Sequence, residues 1–226
     1  MGNFASIAKH QNELIRKALT GSVFVAPPAT TAITSLTQTT GTAPNEVIDL
    51  ITLPAAWKDL GFTTDAGFQF STETSQSDVS SFQSVSPTRS DIISRVTTLN
   101  VVAQETNILT LGLYTGAELS SIEADASTGE VSIAIPERPS SQYYRILSIA
   151  VDDTGEDGEI YIGRFLPYAK VVGVGGQNQG KGDDPITWDL TFQGFKDSTL
   201  GYSERYIFGG PGWKALLAKM GIPDAP

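Results

Sequence analysis

The chain has 226 residues, a net charge of −10, one histidine and no cysteine. The missing thiols exclude disulfide scaffolds, thiol catalysis and cysteine-ligated zinc, and one imidazole cannot build a multi-histidine metal site. The acidic balance argues against a general nucleic-acid binder, because affinity for phosphates comes from lysine and arginine.

The N-terminal residues 4–19 space their apolar side chains along one helical face, and Gly21 follows where a helix would end. Two interpretations of residues 1–20 stay open. They form an amphipathic helix docked on the domain, or an arm that orders only against a neighbouring subunit. Their scattered charges are unlike a signal peptide, and no apolar run in the chain approaches the roughly 20 residues of a membrane span.

The next stretch combines two short elements with a long loop. Residues 21–27 predict a strand that ends at two prolines. Residues 28–46 are rich in threonine and poor in apolar side chains, so they predict a flexible loop. Residues 47–53 fit either a short strand or a helical turn.

A β pattern begins at Gly67. Residues 68–73 alternate aromatic or threonine side chains with polar ones, and residues 79–85 show a softer alternation. Residues 91–104 are rich in isoleucine, valine and threonine on both faces, which predicts a strand covered on both sides.

Four further strands are predicted in the second half of the chain. Residues 131–135 alternate strictly, and residues 143–151 form an apolar run typical of a buried strand. Residues 159–174 predict a long bent strand, and residues 186–193 show the cleanest alternation in the sequence. The glycine-rich residues 175–185 between the last two predict a flexible loop.

Two short helices have recognisable ends. Residues 106–114 predict a central helix with Thr106 or Asn107 as its N-cap and Gly116 as its terminator. Residues 211–221 predict a C-terminal helix that begins at a proline and ends at a glycine.

Together these elements predict a mainly β fold in a single domain spanning residues 1–226. About eight to ten strands would form a β-sandwich or distorted barrel, with a short central helix and terminal helices.

Three features suggest chemistry, and each has a simpler interpretation. The lone His10 would have to serve as the base of any catalytic triad, so no enzyme is predicted. Five acidic residues within 152–159 offer oxygen ligands for Ca²⁺, but their spacing fits a solvated hairpin turn better. Residues 173–182 miss both the dinucleotide and the P-loop templates, so they read as a hairpin loop. No metal and no cofactor is expected.

Five segments, in this order, resemble the major tail tube proteins of long-tailed bacteriophages. They are NELIRKALTGSVFVAP, AAWKDLGFTTDAGF, the Ser-Pro-Thr-Arg of residues 86–89, VVAQETNILTLGLYTG and DDPITWDLTFQGFKD. The match extends over nearly the whole chain. The threonine-rich part of residues 28–46 departs from the pattern by its length.

The resemblance implies a structural protein of the virion tail, made in the bacterial cytoplasm. Its copies would form hexameric rings whose strands join into one barrel around a lumen, with rings stacked around a tape-measure protein. Tail terminator and tail-tip proteins would be further partners, and phage DNA would pass through without specific binding. The implied fold is similar to the tube protein of type VI secretion systems, and a non-contractile tail is favoured.

Two polar segments are candidates for the wall of such a channel. Residues 63–88 contain no lysine or arginine, and the polar positions of residues 187–193 carry only one charge, at Asp189. They are either ordinary solvated strands or an electronegative wall that DNA would not adhere to. The candidate channel-lining residues are Gln69, Ser71, Glu73, Asp78, Thr187, Asp189, Thr191 and Gln193.

Two other functions stay open. One is a tube subunit of a phage-derived injection device. The other is a carbohydrate-binding β-sandwich module of an adhesin or tail fibre. That module would need exposed aromatic side chains on one face, whereas Trp57, Trp188 and Trp213 occupy core-like positions of periodic segments.

Overall fold

Strands dominate the computed structural model, which describes residues 3–42, 45–119, 121–135, 137, 142–153, 155, 158–182 and 184–223. Within these ranges the strands are β1 (Thr20–Ala26), β2 (Thr37–Thr40), β3 (Val47–Leu50), β4 (Lys58–Asp59), β5 (Thr63–Val79), β6 (Arg89–Ala103), β7 (Tyr144–Asp153), β8 (Glu159–Val174), β9 (Trp188–Gly194) and β10 (Arg205–Gly209). The helices are α1 (Phe4–Ile7), α2 (Ile108–Thr115) and α3 (Pro211–Met220). The predicted mainly β fold is confirmed.

Eight of these strands form one antiparallel sheet in the order β4-β1-β7-β8-β9-β6-β5, with β10 added to β8. The long strand β8 takes two partners in succession along one edge. β10 pairs with residues 161–165 and β9 with residues 169–174. β2 and β3 form a separate two-stranded ladder.

The sheet curls around an apolar core that joins its first and last strands. Val23 of β1 shares this core with Leu99 of β6 and Phe192 of β9. The Phe68 ring of β5 lies so near β1 that a Cβ on Gly21 would come within 2.7 Å of it. Because both ends of the sheet meet across one core, the architecture is a distorted barrel.

A second core covers the outer side of β1, β7 and β8. Here Leu147 and Phe165 pack with Leu36 and Trp57, which come from the segments before and after β3. Consecutive residues of β7 alternate between the two cores, since Ile146 belongs to the first. The buried strand predicted over residues 143–151 is therefore confirmed.

The two predicted helices α2 and α3 are also confirmed. Asn107 is the N-cap of α2, its Oδ1 accepting a hydrogen bond from the Thr110 amide at 2.9 Å, and Gly116 ends the helix with φ 65°. Pro211 opens α3 and Gly221 closes it with φ 72°. No helix in the described ranges combines the length and apolar content that crossing a membrane requires.

The continuous helix expected over residues 4–19 does not form. α1 ends at Ile7, and the next helical turn is a single 3₁₀ turn at Asn12–Leu14. Short helices depend on packing of their apolar face, and the Phe4 and Ile7 side chains remain 78% and 77% exposed. The arm interpretation of residues 1–20 stays a prediction.

The stretch predicted as a flexible loop over residues 28–46 contains regular structure. β2 lies inside it and pairs with β3, which decides residues 47–50 in favour of a strand. Ile33 and Leu36 are buried in the second core and anchor the preceding residues. Two buried apolar side chains suffice to order a segment whose composition suggests a loop.

Two strand predictions are wrong. Residues 131–135 are not in a strand, and Val131 and Ile135 are exposed. Residues 80–88 form the turn between β5 and β6, so the soft alternation over residues 79–85 does not continue the strand. In both places the side-chain pattern is present and a neighbouring strand is not.

The cover predicted on both sides of residues 91–104 is wrong, because β6 is buried on one face only, and only in its second half. Residues 97, 99, 101 and 103 are buried, whereas residues 89–95 are exposed throughout. Ile92 and Ile93 expose 69% and 66% of their surface. The reason is that β9 pairs with β6 only from Thr97 onward.

Candidate functional site

Six of the eight channel-lining candidates share one face of the curved sheet. In one row Gln69 of β5 lies opposite Asn100 of β6, which lies opposite Thr191 of β9. The next row joins Ser71, Thr98 and Gln193 in the same way. Residues directly opposite in a sheet point to the same side, so the rows form a continuous polar surface.

The surface extends by one residue on each of three strands. Glu73 continues the series along β5, Asp189 continues it along β9, and Lys170 of β8 lies opposite Gln193. We call this surface the polar face, and it comprises Gln69, Ser71, Glu73, Thr98, Asn100, Lys170, Asp189, Thr191 and Gln193. The intervening residues of β6 and β9, such as Leu99 and Leu190, point into the first core.

Asn100 organises the centre of the polar face. Its Nδ2 donates hydrogen bonds to Asp189 Oδ1 at 2.6 Å and to Thr191 Oγ1 at 3.1 Å. The Asp189 carboxylate lies over Gly175, where a Cβ would overlap its atoms. The carboxylate is thus held by an amide donor and by a position that has no side chain.

The other two candidates are placed differently. Asp78 pairs with Ser90 of β6, and alternation along β5 places its side chain on the other face of the sheet from Glu73. Thr187 precedes β9 and lies outside the ladder, where its backbone oxygen accepts a hydrogen bond from Gln177. Asp78 is therefore not part of the polar face.

Lys170 is a member of the polar face that the sequence did not reveal. Its Nζ lies 5.9 Å from the centre of the Tyr143 ring and 5.5 Å from that of Phe195. Tyr143 also stacks on Tyr168 at 4.0 Å. The lysine charge is thus directed toward aromatic faces that attract cations.

The distal halves of β5 and β6 project from the body as a hairpin, residues 71–95, which we call the arm. All of its residues except Ser81 are exposed, on both faces. Phe82 and Val85 at its tip are fully exposed. In the described residues β5 pairs only with β6, and residues 89–96 of β6 pair only with β5, so both outer edges of the arm keep free backbone groups.

The remaining candidates for chemistry show structural roles. Asp152 forms an ion pair with Arg16 at 3.2 Å, and Glu159 accepts a hydrogen bond from the Tyr161 hydroxyl. Two members of the acidic cluster, residues 156 and 157, lie outside the described residues. His10 is exposed. The described residues contain no group of three or more histidine, cysteine, aspartate or glutamate side chains arranged for a metal ion.

The three tryptophans pack against other aromatic rings. Trp57 is buried beside Phe165. The Trp188 ring meets Tyr114 edge-on at 5.1 Å, and Trp213 stacks on Phe208 at 4.7 Å.

Comparison with known proteins accords with this architecture. The model of a family described as phage tail tube protein matches residues 8–170, which is more than half of the chain. No curated protein matches the sequence. The match confirms the resemblance found in the sequence and identifies a structural component of the virion tail. The chain belongs to the phage tail tube protein family.

Proposed function

We propose that copies of this protein assemble into stacked rings, hexameric as the resemblance implies, that form the tail tube. The polar face would line its lumen, and phage DNA would pass through it into the host cell. The protein would be made in the bacterial cytoplasm and join a tape-measure protein, a terminator and tail-tip proteins. A non-contractile tail remains the favoured type.

The arm is the observation that carries this proposal. Long unpaired strand edges are an aggregation hazard that monomeric proteins normally cover or keep short. Here β5 is 17 residues long and β6 is 15 residues long, and their outer halves are exposed on both faces. A closed ring removes such edges, because each copy covers the edge of the next.

The composition of the polar face supports its assignment to the lumen. Hydroxyl and amide side chains predominate, and the carboxylates of Glu73 and Asp189 would repel phosphate groups weakly. The one cation on this face in the described residues, Lys170, lies near two aromatic rings. Such a wall stays hydrated without holding DNA.

Charge reversal on opposite faces of one strand tests the lumen assignment. Phage carrying Glu73→Arg should still build tails but should eject DNA about tenfold more slowly at low salt, since a repeated guanidinium ring would bind phosphates. Asp78→Arg is the matched control, because it makes the same charge change on the other face of β5. Ejection is followed by the release of a DNA-binding dye from the capsid.

Raising the salt concentration should restore much of the ejection rate of Glu73→Arg, because phosphate contacts weaken with ionic strength. Wild-type ejection by Glu73→Arg at every salt concentration would show that the polar face is not in the lumen. Slower ejection by Asp78→Arg alone would assign the lumen to the opposite face.

A further inference from the structure

Residues 121–135 contain a hairpin turn, and the two segments that flank the turn have no strand partner among the described residues. The Asp125 amide donates to the Glu130 carbonyl at 2.9 Å, and the Gly129 amide donates back to the Asp125 carbonyl at 2.8 Å. Asp125 Oδ1 also accepts from the Ser127 and Thr128 amides, each at 2.8 Å. Gly129 has φ 71°, as expected for the last position of a four-residue hairpin loop.

This turn fixes the register that the two flanking segments would take. With Asp125 opposite Glu130, Ala124 faces Val131 and Ile122 faces Ile133. These four apolar side chains then lie on one face of the hairpin, and Ile135 lies on the same face. The other face would carry Ser121, Glu123, Asp125, Glu130, Ser132 and Ala134. The paired hairpin would therefore have one apolar and one acidic face.

The single chain covers this apolar face only in part, since Ile122 and Ile133 are half-buried and the rest is exposed. None of residues 121–135 is in a strand, and Val131 and Ile135 are 47% and 67% exposed. An isolated two-stranded hairpin is marginally stable in water and needs a further strand or another surface to pack on. The strict alternation of residues 131–135 is thus the pattern of a strand that lacks its neighbour.

The free edge of β6 in the arm has matching properties. Residues 89–96 have one strand partner in the described chain, and Ile92 and Ile93 are exposed along them. This edge also carries two arginines, of which Arg89 is paired with Asp91 at 2.6 Å. The Arg95 side chain has no ion pair among the described residues.

Charge decides between the two free edges of the arm. The hairpin of residues 121–135 contains three carboxylates and no cation. β5 contains Asp65, Glu73 and Asp78 and no cation, so its edge would repel the hairpin. Residues 89–96 of β6 carry two arginines and one aspartate, so this edge keeps a net positive charge, centred on Arg95, and would attract the hairpin.

We propose that residues 131–135 of one copy add as a strand to residues 89–96 of β6 in a second copy. This contact rests on the self-assembly proposed above and specifies one of its interfaces. The added strand supplies backbone partners to the β6 edge, and its isoleucines cover Ile92 and Ile93. The turn at residues 125–130 is already formed in the single chain, so only the flanking segments become ordered on contact.

The chain contains no cysteine, so single engineered cysteines report this contact directly. One preparation carries Ser132→Cys. A second preparation carries a tag of different size and either Ser90→Cys or Ser94→Cys. These two positions lie on opposite faces of β6, because the ladder shifts register between them. After mixing and mild oxidation, a mixed dimer joined through residue 132 is expected in clear excess over the control. The control partner carries Ser198→Cys, an exposed position in the loop between β9 and β10.

A matched pair of charge substitutions tests the register. Ile133→Asp in the Ser132→Cys chain places a carboxylate on the apolar face and should lower the mixed-dimer yield about tenfold. Ala134→Asp places the same charge on the acidic face and should lower it much less. Circular dichroism checks that both variants keep the fold. If Ile133→Asp unfolds, the comparison with the Ser198→Cys control still decides the contact.

Electron microscopy of the same samples separates this contact from tube formation. Mixed dimers together with hollow tubes support both proposals. Tubes without an excess of mixed dimer would overturn the proposed contact and would still support the proposed tube. Mixed dimers without rings or tubes would support the contact and count against the tube. Neither product would overturn both.

Discussion

Gly175 shows how one missing side chain sets the position of a charge on the polar face. Its amide donates to the Asp189 carbonyl at 3.0 Å, and a Cβ at this residue would overlap the Asp189 side chain. Gly175→Ala should displace the carboxylate from Asn100 and destabilise the fold by about 1–3 kcal/mol, because a partly buried hydrogen bond is lost. Urea unfolding measures this change.

The neighbouring Gly176 provides the control. A Cβ there would meet no atom within 4 Å. Gly176→Ala should leave stability unchanged or raise it slightly, through reduced freedom of the unfolded chain. Equal unfolding midpoints for the two variants would contradict the role given to Gly175.

Asp125 gives a pH dependence at the turn of the 121–135 hairpin. Hydrogen bonds from the Thr128 amide, then from the Ser127 amide and the Thr128 hydroxyl, lower the pKa of its carboxyl below the ordinary aspartate value. Because this pKa is lower in the folded turn than in the unfolded chain, the ionised carboxylate stabilises the turn at pH values above the unfolded-state pKa. The stabilisation is lost as the pH falls through the folded-state pKa. The sign therefore predicts a turn that opens only in acid.

An NMR titration of the Asp125 carboxyl carbon and of the Ser127 and Thr128 amides measures this transition. Asp125→Asn should keep the turn, because its amide oxygen can accept the same hydrogen bonds, and should remove the pH dependence. A midpoint at or above the ordinary aspartate value of about 3.9 would show that the turn is not preformed.

Two residues show what the sequence could and could not assign on the polar face. The lack of cations in residues 63–88 groups Asp78 with Glu73, although alternation along one strand places the two side chains on opposite faces. Lys170 could not have been found in this way. β8 has register shifts on both sides of this residue, near positions 166–169 and 171–173, and they change which residues face outward.

Elements with their own end signals were predictable, and elements that depend on a distant partner were not. Asn107 and Gly116 set the two ends of α2 through local backbone chemistry, so a short window of sequence is enough to locate this helix. Residues 131–135 have an equally clear pattern but no ladder in the single chain. The apolar face of residues 4–19 fails as a helix for the same reason, since most of its large apolar side chains, among them Phe4, Ile7 and Ile15, stay exposed.

One charged cluster at Glu204 adds a side-chain link to β8 and β6, besides the backbone pairing of β10 with β8. Its Oε1 accepts from Arg164 Nε at 2.7 Å and its Oε2 from Thr97 Oγ1 at 3.2 Å. The Arg164 guanidinium also lies 3.6 Å above the Phe70 ring. Glu204→Gln should destabilise the fold by about 2–4 kcal/mol, because it leaves a mostly buried arginine without its counter-charge.

The ion pair of Arg89 and Asp91 on the arm is the control for this variant. Both side chains are at least half exposed, so Asp91→Asn should change the unfolding free energy by less than about 1 kcal/mol. Urea denaturation compares the two substitutions. A smaller loss for Glu204→Gln than for Asp91→Asn would show that the cluster does not hold these strands together.

At the scale of the whole molecule, the sheet is complete at its centre and open at its ends. The two cores cover opposite faces of β1, β7 and β8. By contrast, the arm, Phe4 and Ile7 near the N-terminus, and the hairpin of residues 121–135 expose apolar side chains. Composition and periodicity were enough to predict a barrel-like β domain. They could not show which segments remain open, because that depends on where neighbouring strands end.

Negative-stain electron microscopy of the purified protein at rising concentration tests whether copies of this chain assemble into a tube. We expect rings, then stacked hollow tubes, with a lumen wide enough for a DNA duplex, and more of them as the concentration rises. Particles of monomer size at every concentration, both alone and with tail-tip complexes as seeds, would contradict it.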